Sequence, residues 1–240
     1  MALIGIGYTT YRRPDLMQQA YESLLKHTFD VTTEYVDGGV NTTLIPKDNN
    51  EYLIYIAEDT DTDRKGVAAR KNECLRALKD CDYVFLFDDD CFPIKDGWAD
   101  LFVYFHKMGG VNHLLYLKDE HKKVSEINCG FVFDGICKID IYQDCGGVFM
   151  FLSKDAIKKV GAFDEKFTPY GFEHCDYSRR ILGNHGKYPC LAETDKYIFA
   201  HDYSTPGHKS SITDEEKSIH VKNNWDKYFN NKNESIYLPL

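Results

Sequence analysis

The chain has 240 residues, of which 43% are hydrophobic and 14% aromatic, and it carries a formal net charge of −9. This composition excludes a disordered chain, because it supplies enough apolar surface for a full core. The negative charge argues against nucleic acid as the main partner, since affinity for nucleic acid comes largely from Lys and Arg side chains that neutralise phosphates. The length suits one α/β domain or a pair of closely fused subdomains.

The N-terminus and the cysteines indicate a compartment. The first residues run directly into a strand pattern, without the charged leader and long apolar stretch of a signal peptide. No segment reaches the roughly 18 apolar residues needed to span a bilayer. The eight cysteines form no Cys-x-x-Cys pair, so we expect reduced thiols. Together these features predict a cytoplasmic protein with no integral membrane segment.

Strand and helix patterns alternate along the first 95 residues. Short apolar or β-branched runs predict strands at residues 3–8, 31–36, 52–57 and 83–87. Pro14 suits the first turn of a helix that continues to about His27, and residues 66–78 predict a second helix. This alternation predicts a parallel, doubly wound sheet over residues 1 to about 95.

The pattern changes after Trp98. The predicted elements are a helix to about Met108, short strands around residues 114, 124, 131 and 139, a strand at 146–152, helices at 172–182 and 213–229, and a strand at 197–200. Ser153 is placed to cap a short helix, and Thr213 and Glu216 have the spacing of a capping box. A mixed or antiparallel extension is expected here, so we divide the single domain into residues 1–95 and 96–240.

Three consecutive carboxylates, Asp88, Asp89 and Asp90, follow the apolar run at residues 83–87. In parallel sheets, ligands bind beyond the carboxyl ends of the strands, which is where these acids fall. Adjacent carboxylates repel one another unless a cation or hydrogen-bond donors offset the repulsion. Oxygen ligands favour magnesium, manganese or calcium, so the run predicts a divalent cation site. A short acidic run is also typical of a solvated turn.

A second acidic pattern, at Asp59, Asp61 and Asp63, copies the opening of a helix-flanked calcium loop. That loop needs Gly one place after the third acid and Glu at its twelfth position. Arg64 and Arg70 stand at those places instead. We therefore predict a solvated loop rather than a calcium site.

Four stretches of the chain carry recognisable motifs. Residues 10–15 read Thr-Tyr-Arg-Arg-Pro-Asp, and residues 36–39 read Val-Asp-Gly-Gly. Residues 65–72 read Lys-Gly-Val-Ala-Ala-Arg-Lys-Asn and lead into Phe-Asp-Asp-Asp-Cys-Phe-Pro at 87–93. Residues 161–176 run from Gly-Ala-Phe-Asp-Glu to Gly-Phe-Glu-His-Cys-Asp.

In order and spacing these stretches resemble glycosyltransferases of the GT-A fold, nearest to the inverting family 2 type. The family motifs are an opening Thr-Tyr-Asn-Arg-Pro loop, an Asp-Asp-Gly-Ser turn, a Gly-x-x-x-Ala-Arg-Asn helix before a DxD motif, and a Gly-x-Glu-Asp-x-Asp segment. The resemblance covers roughly residues 3 to 202. It implies an α/β fold with a mostly parallel, Rossmann-like sheet flanked by helices and a mixed acceptor-side subdomain. Residues 1–95 would bind the nucleotide sugar, and residues 96–240 would bind the acceptor.

The resemblance also implies donor contacts. Thr9, Thr10 and Arg12 would line the nucleotide pocket, and Asp37 would hydrogen-bond the base. Arg70 or Lys71 would face the base or the diphosphate, and the choice stays open because this chain places Lys71 between the family's Arg and Asn.

The same resemblance implies a metal site for Mn²⁺ or Mg²⁺. Asp90 would coordinate the cation together with Asp88, which would also face the ribose or uracil. Asp89 would help to position the donor. His201 would close the metal or diphosphate site, with a plain strand-end His as the alternative.

On the acceptor side, the family's Glu-Asp pair is Glu173-His174 in this chain. A general base for the acceptor hydroxyl could therefore be Glu173, His174 or Asp176, and we favour Glu173. A helix-terminus acid that interacts with the helix dipole is the alternative role for Glu173.

Other side chains could complete the site. His208 and Lys209 lie in a Ser- and Gly-rich loop that could fold over the donor and exclude water. Trp98 and Tyr170 could stack on sugar rings, although such aromatics are more often core residues.

These features predict a metal-dependent glycosyltransferase. It would move a sugar from a nucleotide-diphosphate sugar, with a UDP-sugar favoured, to a hydroxyl acceptor such as a glycan, with inversion. Three alternatives stay open: a retaining enzyme resembling the polypeptide N-acetylgalactosaminyltransferases, a nucleotidyltransferase that releases pyrophosphate, and a sugar-binding module without activity.

Overall fold

The computed structural model describes residues 1–36, 39–116, 122–143, 146–183, 187–201, 211–230 and 237–240, and side chains throughout these ranges except at 34–41. The elements of the first half are β1 (Leu3–Tyr11), α1 (Pro14–Thr28), β2 (Phe29–Val36), β3 (Gly39–Pro46), β4 (Glu51–Asp59), α2 (Val67–Ala77), β5 (Tyr83–Asp88) and β6 (Cys91–Pro93). Those of the second half are α3 (Trp98–Gly109), β7 (His113–Tyr116), β8 (Lys123–Phe133), β9 (Ile136–Tyr142), β10 (Gly146–Ser153), α4 (Lys154–Val160), α5 (Glu173–Leu182), β11 (Tyr188–Leu191), β12 (Ile198–Ala200) and α6 (Asp214–Asn230). Single 3-10 turns lie at Glu165–Phe167 and Thr194–Lys196.

An eight-stranded sheet forms the centre of the fold, in the order β4-β1-β5-β10-β7-β11-β9-β8. β4, β1 and β5 are parallel neighbours, as the alternating pattern of the first half predicts. β10 runs antiparallel to β5 and β7, and β9 is antiparallel to β8 and β11. The α/β class with a mixed second half is therefore confirmed. The parallel pairs are β4-β1 and β1-β5 in the first half and β7-β11 in the second half.

One strand assignment was wrong. Residues 31–36 were expected to join the parallel sheet, but β2 pairs antiparallel with β3 in a separate two-stranded hairpin, from Phe29 opposite Pro46 to Val36 opposite Gly39. The hairpin is largely exposed, with Val31 at 53% and Ile45 at 48% of their surface accessible. A short link favours a local antiparallel partner, since a parallel neighbour requires a long crossover.

The core on one side of the sheet is built from aromatic rings. Phe85 on β5 contacts Trp98, Phe102 and Phe149 at centroid distances of 4.8, 5.6 and 6.1 Å. Trp98 is 1% exposed, and its Nε1 donates a hydrogen bond to Thr28 Oγ1 at 3.0 Å. The expectation that Trp98 stacks on a sugar is therefore wrong, because its ring is enclosed in this core.

Two helix caps form where the sequence predicts them. Ser153 Oγ accepts a hydrogen bond from Ala156 N at 3.1 Å and begins α4. Thr213 and Glu216 form the reciprocal hydrogen bonds of a capping box at the start of α6. Among the helices in the described ranges, none combines the length and apolar character required to cross a bilayer.

Candidate active site

A cavity lies beyond the carboxyl ends of β1 and β5. β1 contributes Thr9 and Thr10 to its wall, and the three acids contribute a second side. Tyr170, His201 and Lys217 line it from the second half of the chain. The position is the one expected of a ligand site in an open α/β sheet.

Asp88 and Asp89 are held by hydroxyl groups of the neighbouring strand. Thr9 Oγ1 donates to Asp88 Oδ1 at 3.0 Å, and Thr10 Oγ1 donates to Asp89 Oδ2 at 2.7 Å. Arg13 also pairs with Asp89. Burial raises the pKa of Asp89 to about 7, although the Arg13 charge opposes this rise. The acids are therefore fixed in place and are not a solvated turn.

Asp90 is the acid with unused bonding capacity. It is 7% exposed, and its Oδ2 accepts a hydrogen bond from Arg13 Nη1 at 2.8 Å. Its Oδ1 is buried and accepts no hydrogen bond from any residue that the structure describes. Buried carboxylate oxygens normally have partners, so this oxygen points to a missing donor or cation.

His201 is brought next to Asp90 by a second small sheet. β12 pairs antiparallel with β6, with Ala200 opposite Cys91. His201 follows β12, and its backbone N donates to Asp90 O at 2.9 Å.

The donor chemistry fits a hard divalent cation. No three His, Cys, Asp or Glu side chains converge into a metal cluster within the described ranges. Magnesium-type ions, however, are commonly held by one or two carboxylates, with water and substrate phosphates completing the shell. Asp88 and Asp90 meet that requirement, and Asp90 Oδ1 is a buried oxygen that accepts no hydrogen bond from the described residues.

Lys71 connects the acids to the second half of the chain. Its side chain is 1% exposed, and its Nζ lies 3.5 Å from Asp88 Oδ1 and 3.6 Å from Glu173 Oε1. It also donates to Gly147 O at 3.0 Å. Burial alone would lower the pKa of Lys71, but Asp88 and Glu173 raise it above the usual value, so the ammonium stays charged.

Glu173 and His174 begin α5 on the far side of Lys71. Glu173 is 4% exposed, and its Oε2 accepts a hydrogen bond from Gly171 N at 3.1 Å. His174 Nδ1 lies 3.3 Å from Glu173 Oε1. Burial would raise the pKa of Glu173, but His174 and Lys71 hold it at about 2. The carboxylate is therefore ionised at neutral pH.

Sequence comparison gives one informative relative, and no family model matches the chain. The uncharacterized glycosyltransferase R363 of Acanthamoeba polyphaga mimivirus is 26% identical over 204 residues, which are 75% of this chain and 73% of that protein.

Structural comparison is decisive for the fold. S. aureus TarS superposes with a TM-score of 0.52 at 13% identity, over 83% of this chain and 36% of that chain. The mannosyltransferase PcManGT from Pyrobaculum calidifontis, in complex with GDP-Man and Mn²⁺, superposes with a TM-score of 0.51 at 12% identity, over 84% of this chain and 58% of that chain. The chain has the GT-A fold of glycosyltransferases. It spans about a third of TarS and somewhat over half of PcManGT. TarS residues 1–349 in complex with UDP-GlcNAc match with a TM-score of 0.50 at 12% identity, over 97% of this chain and 74% of that chain.

In this GT-A chain, the opening loop uses a different arginine from the one we chose. Arg12 is 53% exposed and pairs with Asp61, which is itself 59% exposed, so it does not contact the acids. Arg13 is 15% exposed and pairs with both Asp89 and Asp90. The family motif carried this signal, because its Arg directly precedes Pro and Arg13 directly precedes Pro14.

Arg70 and Lys71, the two candidates for the contact with the base or the diphosphate, face different partners. Arg70 turns to the loop before α2, where it pairs with Asp59 and Asp63. Lys71 turns to Asp88, as described above. Counted from Gly66, Lys71 stands at the place of the family's Arg, five places after the Gly. Which of the two faces the base or the diphosphate stays a prediction. Arg70 still borders the cavity.

The loop at residues 59–66 corrects another prediction. Asp59 was expected in a solvated loop, but it is 7% exposed and accepts hydrogen bonds from Lys65 N at 2.8 Å and Gly66 N at 3.0 Å. Asp61 and Asp63 are exposed as expected. Asp59 therefore shapes the turn that begins α2.

Of the acceptor-side candidates, Asp176 is paired with arginines of its own helix. It is 2% exposed, and its carboxylate pairs with Arg180 at 2.8 Å and with Arg179, so it holds α5 together. Tyr170 lines the cavity, and its contact with a sugar ring stays a prediction. Asp37, His208 and Lys209 lie outside the described residues.

Several cavity residues were missed by sequence reasoning, among them Tyr11, Arg64 and Lys217. Tyr11 and Arg64 lie together, with the Arg64 guanidinium 4.9 Å from the Tyr11 ring centroid. Lys217 belongs to α6, beyond the stretch that resembles the family, so no motif could have indicated it.

Proposed function

We propose that this chain is a metal-dependent glycosyltransferase that moves a sugar from a nucleotide-diphosphate sugar, preferentially a UDP-sugar, to a hydroxyl acceptor with inversion. The observation that carries the proposal is the buried Asp90 Oδ1, beside Asp88 and His201 in a cavity at the end of β5. The relative named a glycosyltransferase supports the reaction class. The nucleotide sugars and Mn²⁺ held by the structural neighbours support the donor and the cation.

In this proposal Asp90 and Asp88 hold Mn²⁺ or Mg²⁺, with His201 at its edge. The cation, when bound, stabilises the negative charge that develops on the departing diphosphate. Thr9 and Thr10 orient the acids through the hydrogen bonds described above. Residues 1–95 thus provide the donor half of the site, and residues 96–240 the acceptor half.

The general base is assigned to the Glu173–His174 pair. One member takes the proton of the acceptor hydroxyl, and the other holds it in orientation. The pH dependence of the rate distinguishes the two. Glu173, with a pKa of about 2, would give a rate that is flat above about pH 4. His174 would give a rate that continues to rise above neutral pH, because Cys175 and Glu173 raise its pKa well above the usual value against the opposing effect of burial.

The test measures release of the nucleoside diphosphate from a panel of UDP-sugars and GDP-Man, with MnCl₂ and with a chelator. Asp90→Asn is expected to lower turnover by about 100- to 1,000-fold, the usual loss when transition-state charge stabilisation is removed. Asp96→Asn is the matched control, because Asp96 is 56% exposed and pairs with His27 and Lys47 away from the cavity.

Turnover that persists both in chelator and in Asp90→Asn would refute the metal site. Release of pyrophosphate instead of the nucleoside diphosphate would indicate a nucleotidyltransferase. Product of the same anomeric configuration as the donor would replace inversion by retention.

A further inference from the structure

An exposed group of aromatic rings forms where α6 packs against Phe172, the residue before α5. We call Phe172, Trp225 and Phe229 the aromatic patch. The Trp225 ring lies 5.6 Å from Phe172 and 4.4 Å from Phe229, measured between ring centroids. Trp225 is 51% exposed and Phe229 is 41% exposed. Clustered apolar side chains that stay exposed mark interaction sites more often than isolated ones do.

The aromatic patch is attached to the cavity by a buried amide. Asn224 is 1% exposed, and its Nδ2 donates to Tyr170 O at 2.8 Å and to Gly171 O at 3.1 Å. Tyr170 lines the cavity, and Phe172 directly precedes Glu173. The rings are therefore anchored to the same short segment that carries the candidate base.

Helix α6 extends from the cavity to the aromatic patch. Lys217, in the first turns of α6, lines the cavity, and Trp225 lies eight residues further along. At 1.5 Å per residue these positions are about 12 Å apart along the helix axis. A ligand longer than one sugar ring could therefore extend from the cavity along α6.

Phe172 is held towards α6 in an uncommon backbone conformation. Its φ is +70°, in the left-handed region that non-glycine residues rarely adopt. Such conformations persist where the surrounding structure holds them, and they concentrate at ligand sites.

We propose that the aromatic patch binds the saccharide part of the acceptor, one or more sugar rings beyond the ring that carries the reacting hydroxyl. This proposal rests on the glycosyltransferase function proposed above. Rigid aromatic side chains, and Trp in particular, offer a large contact area together with a polar edge, which suits the C–H faces and hydroxyl groups of a sugar. The charge of the chain disfavours the rival ligand, an anionic membrane surface. The net charge is −9, and Asp214, Glu215 and Glu216 occupy the first turn of α6.

Fluorescence provides a direct binding test. The chain has two tryptophans, and Trp98 is 1% exposed in the core, so a change in emission on adding ligand reports Trp225. Cellobiose, maltose and N,N′-diacetylchitobiose are titrated into the protein in the presence of UDP and MnCl₂. At least one is expected to shift the emission in the wild type and not in Trp225→Phe, which lacks the reporter but keeps an aromatic ring.

A kinetic test uses the disaccharide that shifts the emission. Trp225→Ala is expected to raise its KM in the nucleoside-diphosphate release assay by about three- to tenfold, the range measured for single aromatic contacts. Trp225→Phe should recover most of the loss, and release to water without acceptor should not change. Ile219→Ala is the matched control, because Ile219 is an equally exposed apolar residue of α6, at 51%, on a different side of the helix.

The outcomes separate the two proposals. If no disaccharide shifts the emission, or if Ile219→Ala raises KM as much as Trp225→Ala, the aromatic patch is not an acceptor subsite, even where donor turnover is normal. If a disaccharide binds in a Trp225-dependent way but no donor releases a nucleoside diphosphate, the subsite stands and the proposed transfer fails. Binding to phosphatidylcholine–phosphatidylglycerol vesicles that Trp225→Ala abolishes, without saccharide binding, would overturn the subsite in favour of a lipid surface.

Discussion

Arg70 and Lys71 are neighbours on α2, yet they belong to two different ionic clusters. Arg70 faces the loop at residues 59–66, where one of its partners, Asp59, is buried and another, Asp63, is 57% exposed. Lys71 faces inward, and it lies within 4 Å of both Asp88 and Glu173. One cation shapes a loop at the rim of the cavity, and the other joins the two halves of the site.

The comparison teaches how strongly surroundings decide the role of a charge. Successive residues of a helix point about 100° apart, so adjacent cations are directed to different neighbours. Lys71 and Glu173 are almost closed to water, whereas Asp63, a partner of Arg70, is 57% exposed. Breaking the Lys71 cluster should therefore lower the free energy of unfolding more than breaking the Arg70 cluster, because an unpaired buried charge has no solvent to stabilise it.

The largest effect is expected from Lys71→Met. This change keeps the length of the side chain and leaves Asp88 and Glu173 without their shared cation. We expect the free energy of unfolding in urea to fall by about 3 to 5 kcal/mol. Lys71→Arg keeps the charge and should lose less stability than Lys71→Met. A loss no greater than that of Arg70→Met would contradict the contrast between the clusters.

Acid should weaken the Lys71 cluster next. The pKa of Glu173 is about 2 in the folded protein and 4.5 in the unfolded chain. Its contribution to stability is therefore complete above about pH 4.5 and is lost as the pH falls towards 2. We expect the difference in unfolding free energy between wild type and Glu173→Gln to shrink by about 3 kcal/mol between pH 5 and pH 2. A difference that stays constant over this range would mean that the carboxylate is not held as described.

A smaller effect is expected from Arg70→Met. Asp59 keeps its hydrogen bonds from Lys65 N and Gly66 N, so the loss of stability should be about 2 kcal/mol. Amide hydrogen exchange should accelerate within residues 59–66. The same measurement on Lys71→Met should leave this loop slower to exchange than in Arg70→Met.

The smallest effect is expected from Arg12→Ala. Arg12 and Asp61 form an exposed pair, and exposed pairs contribute little to stability. The urea midpoint should match that of the wild type. A clear fall would show that the opening loop depends on Arg12 as well as on Arg13.

Most of the fold was predictable because its signals are local. The apolar run of β5, Pro14 at the start of α1 and the capping box of α6 each act within a few residues, and each has the expected structure. The hairpin of β2 and β3 was not predictable in the same way. The apolar and Thr residues of β2 and β3 suit a strand of the main sheet as well as a strand of a separate hairpin. Only the pairing partner decides between these two arrangements.

The site shows the same division. The acid triplet and its place after β5 could be read from the sequence, because the end of a buried strand defines one edge of the sheet. The roles of Arg13 and Lys71 depend on which way a side chain turns, and only motif spacing hinted at that. The ion pairs of Asp176 with Arg179 and Arg180, on the same helix, were not indicated by the motif.

Gly147 limits how this site can diverge. A Cβ at that position would lie 2.4 Å from the His174 ring, so the imidazole fills the space that any larger residue would need. The carbonyl of Gly147 also receives the Lys71 ammonium. Relatives with a bulkier residue at 147 should therefore carry a smaller or differently turned side chain at 174, and the three positions should change together through evolution.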